Sequence, residues 1–139
     1  MQKLFRKSIE LSRALFPVNI EERNGRRCIH YSYLFNKTKL ILVAENKQST
    51  HSINRYNLRE FDIGQKHICS ECRLFLKAKS KFDNLNWRKL TVVNVRINLQ
   101  GKICNSRPCA SCKNLLQFVS PRSVYFTDDH GDFVKYLFD

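Results

Sequence analysis

Two short stretches carry residues able to do chemistry: HICSEC, residues 67–72, and RPCASC, residues 107–112. Each holds a C-x-x-C pair. The simplest reading closes Cys69, Cys72, Cys109 and Cys112 around one structural zinc, because C-x₂-C…C-x₂-C is a strong zinc signal. Structural knuckles, however, tend to sit on tight turns with a glycine just after the second thiol. Here CRLFL and CKNLL run straight into helical apolar patterns.

A second reading uses three thiols and a carboxylate. At a helix start, the free N–H groups and the helix dipole favour thiolate over thiol. Cys69, Cys109 and Cys112 can then supply three ligands and leave the fourth position of a zinc open to water, as in catalytic sites. Water held there can attack at neutral pH. Something must take its proton, and Glu71 lies two residues from Cys69. Positions i and i+2 of a regular helix point apart. Cys69 must therefore sit at or before the helix cap, with Glu71 in the first turn.

The elements that position these residues follow from periodicity. Residues 3–16 read as a helix whose apolar face is Leu4, Ile9, Leu11, Leu15 and Phe16, closed by Pro17. CIHYSYLF and KLILVAE flank the polar NKTK and predict a β-hairpin. The polar run NKQSTHSINRYNLREFDIGQ reads as a long loop, a length usually tied to function or disorder. CSECRLFLKAKSKF predicts a helix, KLTVVNVRINLQG the clearest strand, PCASCKNLLQFV a helix ended by Pro121, and SVYFTD and DFVKYLF two strands about the turn DHG. Helices alternating with strands give an α/β fold, one sheet covered on both faces. The 139 residues carry no linker or repeat and predict a single domain spanning 1–139.

C-S-E followed by S-R-P-C-A-S-C resembles the zinc-dependent nucleoside and nucleobase deaminases, whose signature is (H or C)-x-E…P-C-x-x-C. The resemblance covers nearly the whole chain. Its element order is a hairpin, a helix bearing the first ligand and the glutamate, a strand, and a helix bearing the cysteine pair. It implies a three-layer cytidine-deaminase-like fold with a mixed sheet of about five strands. It also implies Zn²⁺ on Cys69, Cys109 and Cys112, Glu71 as the proton shuttle, and conversion of cytosine to uracil. Asn46 falls where these deaminases often place an asparagine that bonds the nucleoside sugar. Thr50 and His51 follow in the next loop and are candidates for the pocket lining. Cys-x-Glu is more typical of the free-cytidine enzymes, which offset the charge of three thiolates with a basic residue beside the second cysteine of the pair. Lys113 stands there, with Arg73 and Arg107 near. The plain alternative for each is a solvated charge.

The remaining candidates carry less. Cys72 reads as a helix thiol facing the core or the site rim, and Cys28 and Cys104 as small buried residues. His67 is in the wrong register for H-x-E. His30 and His130, on a strand and a turn, carry no site signal.

Charge bears on the partner. Twenty-five Lys and Arg against 12 Asp and Glu give a net +13 and a pI near 9.8. A neutral nucleoside needs no such field, whereas phosphates attract one, which favours single-stranded DNA or RNA as partner. The charges are spread along the chain, so a merely solvating role is the alternative. Tyr31, Tyr33, Tyr56, Trp87, Tyr125 and Phe126 are either core or, in part, a platform for stacked bases. No apolar run approaches a membrane span, and six cysteines without a secretion signal point to metal rather than disulfides. A reducing compartment, cytoplasm or nucleus, is the expectation, and self-association stays open. Three function classes remain: a polynucleotide cytosine deaminase, a free (deoxy)cytidine or deoxycytidylate deaminase, and a non-catalytic four-cysteine zinc module binding nucleic acid or an assembly partner.

Overall fold

The computed structural model describes residues 1–21, 28–48 and 67–138. Helix α1 spans Gln2–Glu21, and the hairpin strands are β1 Cys28–Asn36 and β2 Lys39–Glu45. Two short strands, β3 Lys47–Gln48 and β4 His67–Ile68, pair antiparallel. Then come α2 Ser70–Lys81, β5 Leu90–Asn98, β6 Ile103–Cys104, α3 Ala110–Val119, β7 Ser123–Thr127 and β8 Phe133–Lys135. The main sheet has the order β2-β1-β5-β7-β8, with β6 paired to the far end of β5. The β1–β5 ladder is antiparallel and the β5–β7 ladder parallel, so the sheet is mixed. Among the described residues a six-stranded sheet, the separate β3–β4 pair and three α-helices make up this α/β architecture. Its sixth strand, β6, is a two-residue hairpin return too short to show in a periodicity reading.

The alternation along β1 and β5 sets the layers. Tyr31, Tyr33, Phe35, Val93, Val95 and Ile97 point to one face and are fully buried with Leu4 of α1. Leu34, Val92, Val124 and Phe126 point to the other, against Leu74 of α2 and Leu116 of α3. The central strand is thus covered on both sides, which is why β5 reads as a nearly continuous apolar run.

Helix α1 differs from expectation: it runs through Pro17 to Glu21 instead of ending at residue 16. Proline removes one backbone bond from the helix. The last turns are held from outside, where Asn19 accepts a hydrogen bond from Tyr31 Oη at 2.6 Å and donates to Glu45 Oε1 at 3.4 Å. The aromatic residues follow the core reading in the main: Tyr31, Tyr33 and Phe126 are buried, Tyr125 meets Phe5 edge-on at 5.1 Å, and Trp87 lies 6.3 Å from Phe75. Tyr56 lies outside the described residues, as does most of the long polar stretch. Among the described residues no helix is long and apolar enough to cross a membrane.

Candidate metal centre

The first turns of α2 and α3 meet at the end of the sheet where the polar ends of β1 and β5 lie. Cys69 is the N-cap of α2 and Cys109 the N-cap of α3, both in extended backbone geometry. Their Sγ atoms lie 3.7 Å apart. Cys112, one turn into α3, completes the set, and the three ligand atoms lie within 4.8 Å of one another. These three cysteines could hold a metal ion. They grade from exposed Cys109 through half-buried Cys69 to buried Cys112, so the cluster runs from the surface inward. Cys72 stays outside the group. It is fully buried on α2, and burial pushes its thiol up to about 12.

The three sulfurs do not ionise alike. Hydrogen bonds from Cys112 and Cys69, helped by the N–H groups of Cys112 and Ser111 at the start of α3, hold Cys109 far below an ordinary thiol. Cys112 and Cys69 are pushed up, because each yields its place to the Cys109 thiolate and loses hydration, Cys112 buried and Cys69 half-buried. Negative charge therefore settles first on the sulfur nearest solvent, at a helix N-terminus, as the dipole favours.

The loop that delivers Cys109 is pinned by serine and threonine. Ser106 Oγ donates to the carbonyl of Asn94 on β5 at 2.9 Å, and the Ser106 N–H donates to Thr127 O on β7 at 2.8 Å. Thr127 Oγ1 donates in turn to Cys104 O at 2.7 Å. Buried Pro108 follows and sets the entry to α3. The S-R-P-C run thus fixes the second ligand pair to the two parallel strands of the sheet.

Glu71 occupies the first turn of α2, with its side chain 1% exposed. A chain of short contacts leads to it from the sheet. Asn94 Oδ1 lies 2.7 Å from Ser32 Oγ, Ser32 Oγ lies 2.7 Å from Ser70 Oγ, and Ser70 Oγ donates to Glu71 Oε1 at 2.9 Å. All four residues are buried. Two hydroxyl protons cannot serve three contacts when Ser32 also donates to Asn94 Oδ1. The count closes if the Asn94 amide is turned over, so that Nδ2 donates to Ser32, Ser32 to Ser70, and Ser70 to Glu71. That orientation also gives a partner to Nδ2, which otherwise has none. The chain aims a row of donors at one carboxylate oxygen and fixes the side chain.

His30, a strand residue that carries no site signal in the sequence, stands beside Glu71. It shares a sheet face with Ser32 and Leu34, one step nearer the metal end. Its Nε2 stands 4.0 Å from Glu71 Oε1. Burial first, opposed by the charge of Glu71, holds its pKa below the usual imidazole value. Asn46 fixes its backbone from both sides: its Oδ1 accepts from the His30 N–H at 2.9 Å and its N–H donates to His30 O at 3.0 Å. The Asn46 amide also donates to Cys28 O at 3.2 Å. The side chain expected to bind a sugar is therefore engaged with the sheet edge.

The expected basic residues are dispersed. Arg73 donates to Glu45 O at 2.9 Å, and the Arg107 guanidinium lies over the rings of Tyr136 and Phe126 at 5.2 and 5.7 Å. Lys113 is half-buried in the first turns of α3. Thr50 and His51 lie outside the described residues. Cys28 and Cys104 are half-buried rather than buried, and both bond Arg96. Cys28 Sγ accepts from its Nε at 3.0 Å, and Cys104 Sγ donates to its carbonyl at 3.7 Å. No family model, curated protein or solved structure matches this chain.

Proposed function

We propose that the chain is a zinc-dependent hydrolytic deaminase that converts cytosine to uracil, with single-stranded nucleic acid as substrate. The observation that carries this reading is the triad of Cys69, Cys109 and Cys112 at two converging helix starts, with a buried Glu71 in the first turn of one of them. Three sulfurs suit zinc among the soft metals. With Zn–S bonds of about 2.3 Å, a tetrahedral site has edges of about 3.8 Å, and Cys69 and Cys109 stand 3.7 Å apart. Cys72, the only further thiol of the two pairs, does not reach the group, which speaks for a three-ligand site. The hairpin, the two ligand-bearing helices and the strand between them also follow the order of the deaminases whose motif the sequence resembles.

Zinc bound there would supply the Lewis acidity that makes water a nucleophile at neutral pH. The residues of the chain do the rest. Glu71 takes the proton that water loses as its oxygen bonds to C4 of the base, and passes it to ring N3. A second proton, from the added hydroxyl, returns through the same carboxylate to the amino nitrogen. The C4–N bond then breaks, the C4 carbonyl forms, and ammonia leaves. No electrons are exchanged. The net charge of +13 is the support for a phosphate-bearing substrate.

The test is product formation on cytidine, deoxycytidylate and a short dC-containing strand. Conversion of the strand supports the reading. Conversion of the monomers alone would move the substrate to the free nucleotide, and a zinc that Cys72→Ser releases would move the chain to the four-thiol module.

A further inference from the structure

Two buried polar atoms of the candidate site lack a partner: His30 Nε2 and Glu71 Oε2 have no hydrogen bond among the described residues. The 4.0 Å between Nε2 and Oε1 is too long for a direct bond. Both groups are rigidly held, His30 through the two backbone bonds to Asn46 and Glu71 through Ser70. We assign the proton of the neutral His30 ring to Nδ1, which leaves the unpartnered Nε2 as an acceptor. The low pKa that burial imposes agrees with a neutral ring. Buried polar atoms left unpaired are costly, and a site that holds two so close together calls for something that pairs them. Two acceptors need one small group with two hydrogens.

We propose that His30 Nε2 and Glu71 Oε2 form a two-acceptor clamp for the exocyclic amino group of the base. The inference rests on the deaminase reading and adds a residue to it. Each amino hydrogen points at one acceptor, so the leaving nitrogen is held beside the carboxylate that will protonate it. His30 accepts a hydrogen bond throughout and transfers no proton. A 4-amino base fills the clamp. A 4-oxo base offers a third acceptor instead and is repelled, which would help the product leave. Sites that hydrogen-bond a substrate group discriminate strongly against analogues lacking it.

The test is ¹⁵N NMR of the His30 ring in zinc-loaded protein, with short single strands carrying one central dC or dU, recorded before conversion. The expected result is a bare Nε2 in the free protein, whose resonance moves with the dC strand and stays with the dU strand. A doubly protonated His30 paired with Glu71, equal shifts with both strands, or no shift with either would overturn the clamp. In parallel, His30→Leu should lower turnover of the dC strand about tenfold or more, and His30→Gln, whose amide oxygen also accepts, should restore part of it. Turnover by the wild type separates the two claims. A dC-selective shift without turnover keeps the clamp and removes the enzyme. Turnover with no selective shift keeps the enzyme and removes the clamp.

Discussion

The sulfurs of Cys69 and Cys109 lie 3.7 Å apart although 40 positions separate them in the chain. Each is the residue before a helix, so two helix starts must be aimed at one point for the contact to exist. α2 is aimed by its packing on β1 and β2, and α3 by the Ser106 and Thr127 bonds that tie its entry to β5 and β7.

That convergence predicts the metal stoichiometry. Purified protein should carry one zinc per chain. Cys69→Ser, Cys109→Ser and Cys112→Ser should each lose it, while Cys72→Ser keeps it. Metal analysis of the four variants decides the matter, and loss in Cys72→Ser as severe as in Cys69→Ser would restore the four-thiol site.

The buried chain from Asn94 to Glu71 predicts effects on both stability and turnover. Ser32→Ala removes the middle link and leaves buried Ser70 and Asn94 short of a partner. It should cost about 1–3 kcal/mol in denaturant unfolding. Ser70→Ala removes the donor next to the carboxylate and leaves the buried Ser32 hydroxyl without its acceptor, so it should cost a similar amount of stability. It should keep zinc, yet lower turnover by about tenfold as Glu71 loses its fixed position. Unchanged turnover in Ser70→Ala would detach the chain from the chemistry.

How much of this was legible beforehand varies by residue. The hairpin, α2, β5 and α3 follow from periods of 2 and 3.6, and the N-cap placement of Cys69 follows from the need to bring Glu71 near a shared point. His30 could not be found this way. Its place beside Glu71 depends on the β1 register, which sets it beside Ser32 and opposite Arg96 on the α2 face. A signal did exist in the run H-Y-S, whose two polar residues at i and i+2 point to one face of an otherwise apolar strand. Asn94 in V-V-N-V-R gives the same signal on β5. The extension of α1 past Pro17 was hidden because its support, the contact of Asn19 with Tyr31, is tertiary.

Charge predicts the salt dependence of binding. At about −0.7 in log K per log salt for each neutralised phosphate, a footprint of about 4 phosphates gives a roughly 50-fold weakening over a fourfold rise in salt. Titrating a labelled oligonucleotide at several salt concentrations measures the slope. A flat response would leave the net +13 as surface solvation and favour the free-nucleotide substrate.

The central claim is hydrolysis of the 4-amino group with Glu71 as proton carrier. Its most direct measurement is product mass after incubating a single-dC strand with zinc-loaded wild type and zinc-loaded Glu71→Gln. The wild type should convert the amine to the carbonyl. The variant should bind as much zinc and fall about 10²–10⁴-fold or further in rate, as loss of a general acid and base does. A wild type that carries its zinc yet leaves the strand, cytidine and deoxycytidylate all unchanged would contradict the claim, as would a Glu71→Gln variant that turns over at the normal rate.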